Sequence, residues 1–85
     1  NLTENNEEVI IYPNPANQQL FIQLQTIEPL VKVEMFDVFG KMVFNKSINN
    51  EQIVELNLGN LSKGVYLLQL TLQNKLLEKK VVVSR

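Results

Sequence analysis

Cysteine, histidine and tryptophan are all absent from the 85 residues. Without cysteine there are no disulfides and no thiolate metal sites, and without histidine the commonest general base and metal ligand is missing. Most enzyme and metal hypotheses fall with those two residue types, and no cofactor is expected. The missing thiols do not assign a compartment, because a domain exported across an oxidising periplasm also benefits from having nothing to mispair in transit. No apolar run approaches the roughly 20 residues that a membrane-spanning helix needs, and no signal-peptide pattern opens the chain. Nor does it open with Met, so Asn1 is expected to be a cut point inside a longer protein, with any export signal in the part ahead of it.

A strong charge bias is lacking too: the formal net charge is −1. It is unevenly divided, since residues 1–40 hold Glu4, Glu7, Glu8, Glu28, Glu34 and Asp37 against Lys32 alone, whereas residues 41–85 hold seven Lys/Arg against Glu51, Glu55 and Glu78. In a small sandwich the two halves mix in space, so a balanced solvated surface is favoured over a functional basic patch. No basic stripe interleaved with aromatics is visible, and nucleic acid is not an expected partner.

What is present is ordinary globular composition, 45% hydrophobic and 20% charged, in a chain long enough for one domain. A domain of this size buries only about 60 to 65% of its unfolded surface, so its core has to be efficient rather than large. Residues 1–8 are polar and acidic and read as a linker tail, leaving 9–85 as the folded unit. Val9 to Tyr12 form a short β-prone run that Pro13 ends. Pro13, Asn14 and Pro15 make a rigid turn, in which Asn14 and Asn17 are expected to bond their own backbone. Residues 19–25 alternate, with Leu20, Ile22 and Leu24 facing inward and Phe21 breaking the pattern. Residues 30–38 resume it with Val31, Val33 and Met35 inward against Lys32 and Glu34.

Asp37-Val38-Phe39-Gly40-Lys41 reads as a hairpin turn: Asp37 accepts from nearby amides and Gly40 supplies a positive φ. The returning strand covers 42–48, Asn49-Asn50 reverses the chain, and residues 52–57 carry Val54 and Leu56 inward. From Leu56 through Gly59 and Gly64 to Leu72 the pattern is two strands crossing from one sheet to another. Tyr66 follows Gly64 by two residues and Leu61 by five, the spacing of a tyrosine corner, in which a phenol pins the crossover to upstream backbone. Leu68 then sits where an immunoglobulin domain carries its second cysteine. A last turn at 73–75 leads to a final run, 76–83. About seven short strands with no helical period predict an all-β, immunoglobulin-like antiparallel β-sandwich.

Four of these stretches resemble one family when taken together: Tyr12-Pro13-Asn14-Pro15, Asp37-Val38-Phe39-Gly40-Lys41, Leu61-Ser62-Lys63-Gly64-Val65-Tyr66 and Lys79-Lys80-Val81-Val82-Val83. In this order, with the last at the terminus, they are similar to the type A C-terminal sorting domain of the type IX secretion system of Bacteroidetes. The resemblance implies a domain without chemistry of its own, covalently attached to an N-terminal cargo. Its expected partners are the outer-membrane translocon and a sortase-like surface protease, with periplasmic transit followed by the outer-membrane surface or the medium as destination. The cut would fall in or before residues 1–8, and the cargo would be released or joined to an anionic lipopolysaccharide. The resemblance implies three recognition elements, the Asp37 to Lys41 turn, the Gly64 to Leu70 strand and the terminal stretch Lys79, Lys80, Val81, Val82, Val83, Ser84 and Arg85, with Pro13, Asn14, Pro15, Asp37, Gly40, Lys41, Gly64 and Tyr66 as the family's turn and crossover residues. Ser84-Arg85 departs from an apolar residue followed by Lys, but keeps the charge.

If the final run is an edge strand, its unpaired backbone groups would add to a receptor sheet, steered by Lys79, Lys80 and Arg85; the same lysines would also serve merely to protect an edge from aggregation. The main alternative is a generic immunoglobulin-like or fibronectin-like spacer, or a carbohydrate-binding module, of an extracellular protein. Sugar platforms are usually exposed aromatics, and only Phe36 and Phe39 are expected to be exposed together. An enzyme would need its carboxylates from Glu34, Asp37, Glu55 or Glu78, all expected on wet faces or in turns. Calcium at Asp37 lacks the dense Asp/Asn/Gly loop such sites use, and no small-molecule substrate is expected.

Overall fold

The alternating segments become strands because one face of each can be buried only if successive side chains point to opposite sides. The computed structural model describes residues 8–49 and 51–84. The strands are β1 (Val9–Tyr12), β2 (Gln19–Leu24), β3 (Leu30–Phe36), β4 (Met42–Ser47), β5 (Ile53–Asn57), β6 (Gly64–Leu72) and β7 (Leu76–Val83). They form a three-stranded sheet, β1-β2-β5, and a four-stranded sheet, β4-β3-β6-β7, with antiparallel pairing between neighbours. The predicted all-β sandwich is the fold observed. The division differs from an immunoglobulin constant domain in one strand, since β4 stays beside β3 instead of joining β5.

Leu20, Ile22, Val54 and Leu56 line the inside of the first sheet, and Val33, Met35, Leu68, Leu70 and Val81 the inside of the second, all at most 1% exposed. Burial of each such side chain is worth about 1.5 to 3 kcal/mol. No polar or charged residue is buried among the described residues, so the core asks for no internal polar network. The predicted crossover is present: β5 ends in one sheet, Leu58 plugs the core beyond it, and β6 begins in the other.

Two local expectations change. Val31 was expected inward but is exposed, because the register slips between Leu30 and Lys32; the extra residue of this bulge sends Leu30 into the core in its place. The segment after β4 joins strands of different sheets, so it is a crossover rather than a hairpin reversal, anchored by the buried Ile48. Asn50 and its expected left-handed backbone lie outside the described residues.

Candidate functional site

The last strand is where the distinctive stretches meet. Each arrives there by a separate piece of local chemistry.

The tyrosine corner forms as predicted: the Tyr66 hydroxyl donates to the Ser62 carbonyl at 2.6 Å, with the ring buried. This holds the start of β6, and β6 pairs with β7 along its length, Gly64 opposite Val83 and Tyr66 opposite Val81. On the other side of β6, β3 brings in the Asp37 turn. Asp37 Oδ1 accepts from the Phe39 and Lys41 amides, both at 2.9 Å, and the Asp37 amide donates to the Lys41 carbonyl at 2.9 Å. Gly40 takes φ +84° there, a conformation that costs little only without a Cβ.

The proline turn does something the sequence reading missed. Asn14 does not bond its own backbone but reaches β7, where Nδ2 donates to the Lys80 carbonyl and Oδ1 accepts from the Val82 amide, each at 3.1 Å. Two residues on, the Ala16 amide donates to the Val82 carbonyl and the Ser84 amide donates to the Ala16 carbonyl, both at 2.7 Å. Ala16 and Val83 form a parallel bridge. Pro13 and Pro15 have no amide to offer, whereas a side-chain amide carries both a donor and an acceptor. Asn14 therefore stands in for a peptide group and starts a short parallel ladder that Ala16 continues. The signal was an amide side chain between two residues unable to donate.

These contacts correct the view of β7 as an open edge. It is the last strand of its sheet, but from Lys80 to Ser84 the outward backbone groups at residues 80, 82 and 84 named above are taken by residues 14 and 16. Receptor strand addition along that half would have to displace them. Nor do the two lysines act as a pair. Alternation along the strand puts Lys79 on the inner face with Val81 and Val83, and Lys80 on the outer face with Glu78 and Val82. Arg85 lies outside the described residues.

On the outer face, Phe36, Leu67 and Lys80 stand in one row across β3, β6 and β7. With Val38, Gly40 and Val65 they line a groove of about 540 Å³. Residues from the Asp37 turn, the Gly64 crossover and the closing strand thus share one surface. A smaller groove, about 260 Å³, opens where β1 faces β7 and includes Asn14, Lys79 and Lys80.

The carboxylates weighed for catalysis do not converge. Glu55 takes a hydrogen bond from Gln19 on the outside of the three-stranded sheet, Asp37 is spent on its turn, and Glu34 and Glu78 flank Gln69 on the outside of the other sheet. Among the described residues no three His, Cys, Asp or Glu are grouped to hold a metal ion. Phe39 is exposed beside the partly buried Phe36, but a second aromatic pair was not foreseen. Tyr12 and Phe21 stack on the outside of the three-stranded sheet, centroids 5.5 Å apart, which is why Phe21 breaks the alternation of β2.

The chain is thus an all-β sandwich of two antiparallel sheets whose distinctive residues are gathered around its closing strand. Residues 10–84 match the family described as the secretion system C-terminal sorting domain, and the chain belongs to that family. It is also 39% identical over 78 residues to an endo-acting ulvan lyase of Formosa agariphila, covering 91% of this chain, and 31% identical over 75 residues to an ulvan lyase of Nonlabens ulvanivorans, covering 87%. The matched segment makes up 15% and 14% of those two proteins. The likeness is therefore to a small part of each, and the lyase names describe the whole proteins.

Proposed function

We propose that this domain is the address by which the type IX translocon of the outer membrane recognises an attached cargo, after which a sortase-like surface protease removes it and the cargo is released or anchored at the cell surface. The family match over residues 10–84 carries this reading. Transit runs through the periplasm, the cargo is covalently attached on the N-terminal side, and the cut falls in or before residues 1–8. Residues 79–85, which close the chain from within β7, are the recognised stretch, and the Asp37 turn and the Tyr66 corner frame it. The two relatives suggest a polysaccharide lyase as the class of cargo.

Transplantation tests this. A periplasmic reporter fused ahead of residues 1–85 is expected at the surface or in the medium of a host with the translocon, and in the periplasm of a host without it. Mass measurement of the processed reporter is expected to place its new C-terminus at or before residue 8. Equal surface arrival in both hosts would refute the proposal.

A further inference from the structure

We infer that the outer groove of the four-stranded sheet is the face a receptor protein covers, and that the receptor lays there an extended apolar segment whose carboxylate pairs with Lys80. This rests on the sorting reading above and names the surface and the partner chemistry it uses.

Several exposed apolar side chains border this groove. Of the eleven large hydrophobics exposed among the described residues, five (Val38, Phe39, Met42, Val65 and Leu67) border the groove or its turn, with Phe39 91% and Val38 69% exposed. A cluster of that kind on one face marks an interaction surface more than scattered single residues do. The tip is held still, because Asp37 fixes the backbone on both sides of it, so little order is lost on docking.

Charge selects the occupant. The carboxylates on this face already have partners: Asp37 accepts two turn amides, Glu34 faces the Lys32 ammonium at 3.7 Å, and Glu78 accepts from Gln69 at 3.3 Å. Lys80, in the row of Phe36 and Leu67, has no carboxylate within 4.0 Å among the described residues. An apolar groove ending in an unpaired ammonium is complementary to an apolar segment with one acidic side chain, and such a charge governs encounter and register more than bulk affinity. The backbone of β7 beyond Lys80 is already laddered to residues 14 and 16, so the sheet face, rather than that half of the edge, is what remains open to a partner.

The test uses the exported reporter fusion in the translocon-bearing host, treated with a water-soluble carbodiimide that joins an amine to a carboxylate in direct contact while taking up the released water as its urea. The wild-type fusion is expected to give an adduct joining Lys80 to an Asp or Glu in an apolar peptide of an outer-membrane protein. Lys80→Arg keeps a charge but cannot couple, so the adduct disappears; Lys80→Glu lowers export roughly tenfold. Leu67→Asp lowers it similarly, and thermal melts of the purified variant fusions check that each remains folded. If the wild type is exported and folded Lys80→Glu and Leu67→Asp fusions are exported equally well, the groove assignment is overturned while the sorting reading stands. An adduct to a second copy of the fusion, or to lipopolysaccharide, also overturns the assigned partner. Failure of the wild-type fusion to reach the surface overturns the sorting reading and this inference with it.

Discussion

The side-chain oxygen of Asn14 accepts the backbone amide of Val82 at 3.1 Å, across 68 residues of sequence. That bond, with its companion to the Lys80 carbonyl, ties the first loop of the sandwich to the outer edge of the last strand. Asn14→Ala removes both and leaves the Val82 amide facing water. Hydrogen exchange at Val82 is expected to accelerate, while the amides of Val81 and Val83, which point to β6, stay protected. Global stability should fall by about 1 to 2 kcal/mol. Unchanged exchange at Val82 would show that the side chain does not hold the edge in solution.

Tyr66→Phe keeps the buried ring and deletes only the donor to Ser62. The expected loss is about 1 to 2 kcal/mol, a fall in melting temperature of about 4 to 8 °C for each kcal/mol in a domain of this size. Urea unfolding should show a lower midpoint at the same slope, because the surface exposed on unfolding does not change.

Gly40 separates conformational cost from crowding. A Cβ placed there meets nothing within 4 Å, yet φ is +84°, so Gly40→Ala is expected to cost about 1 kcal/mol through the backbone alone. Gly40→Asn should cost less, since asparagine tolerates left-handed backbone better. Comparable losses for the two, measured by chemical unfolding, would contradict a purely conformational origin.

At the opposite end of the sandwich, Glu8 accepts a hydrogen bond from Lys75 Nζ at 2.6 Å. That bond is the main reason the Lys75 ammonium titrates above its ordinary 10.5; desolvation opposes it, and the charges of Glu8 and Glu28 add to it. The folded state therefore binds this proton more tightly than the unfolded chain does. Its contribution is fully present below about pH 10 and is lost as pH rises through the folded-state value. The stability difference between wild type and Lys75→Gln should accordingly be constant near neutrality and narrow in alkaline solution. A gap that widens with alkali would reverse the sign of this coupling.

Local chemistry was legible in the sequence wherever residue type and spacing act over a few positions. Asp37 and Gly40 formed their turn, Tyr66 found the Ser62 carbonyl, and Leu20, Ile22 and Leu24 faced inward. What remained hidden depends on contacts distant in the chain. A bulge at Val31 is decided by the register with β6, and Asn14 looks like a turn residue until β7 lies beside it. Lys79 and Lys80 look like one charged unit until alternation separates them. That separation needs only the period of a strand, whereas what each lysine then faces follows from strand order, which periodicity does not fix.

The central claim, that the address lies on the outer face of β4-β3-β6-β7 around the closing strand, is tested most directly by a surface scan. Each exposed position of the domain is changed singly to Asp, or to Lys where it is already acidic, in the exported reporter fusion, and surface arrival is scored beside the thermal stability of every variant. The account predicts that variants losing export without losing stability cluster at Val38, Phe39, Val65, Leu67 and Lys80, while those on the outside of β1-β2-β5, such as Ile10, Tyr12 and Ile53, export normally. Export losses spread evenly over both sheets, or confined to the three-stranded one, would contradict it.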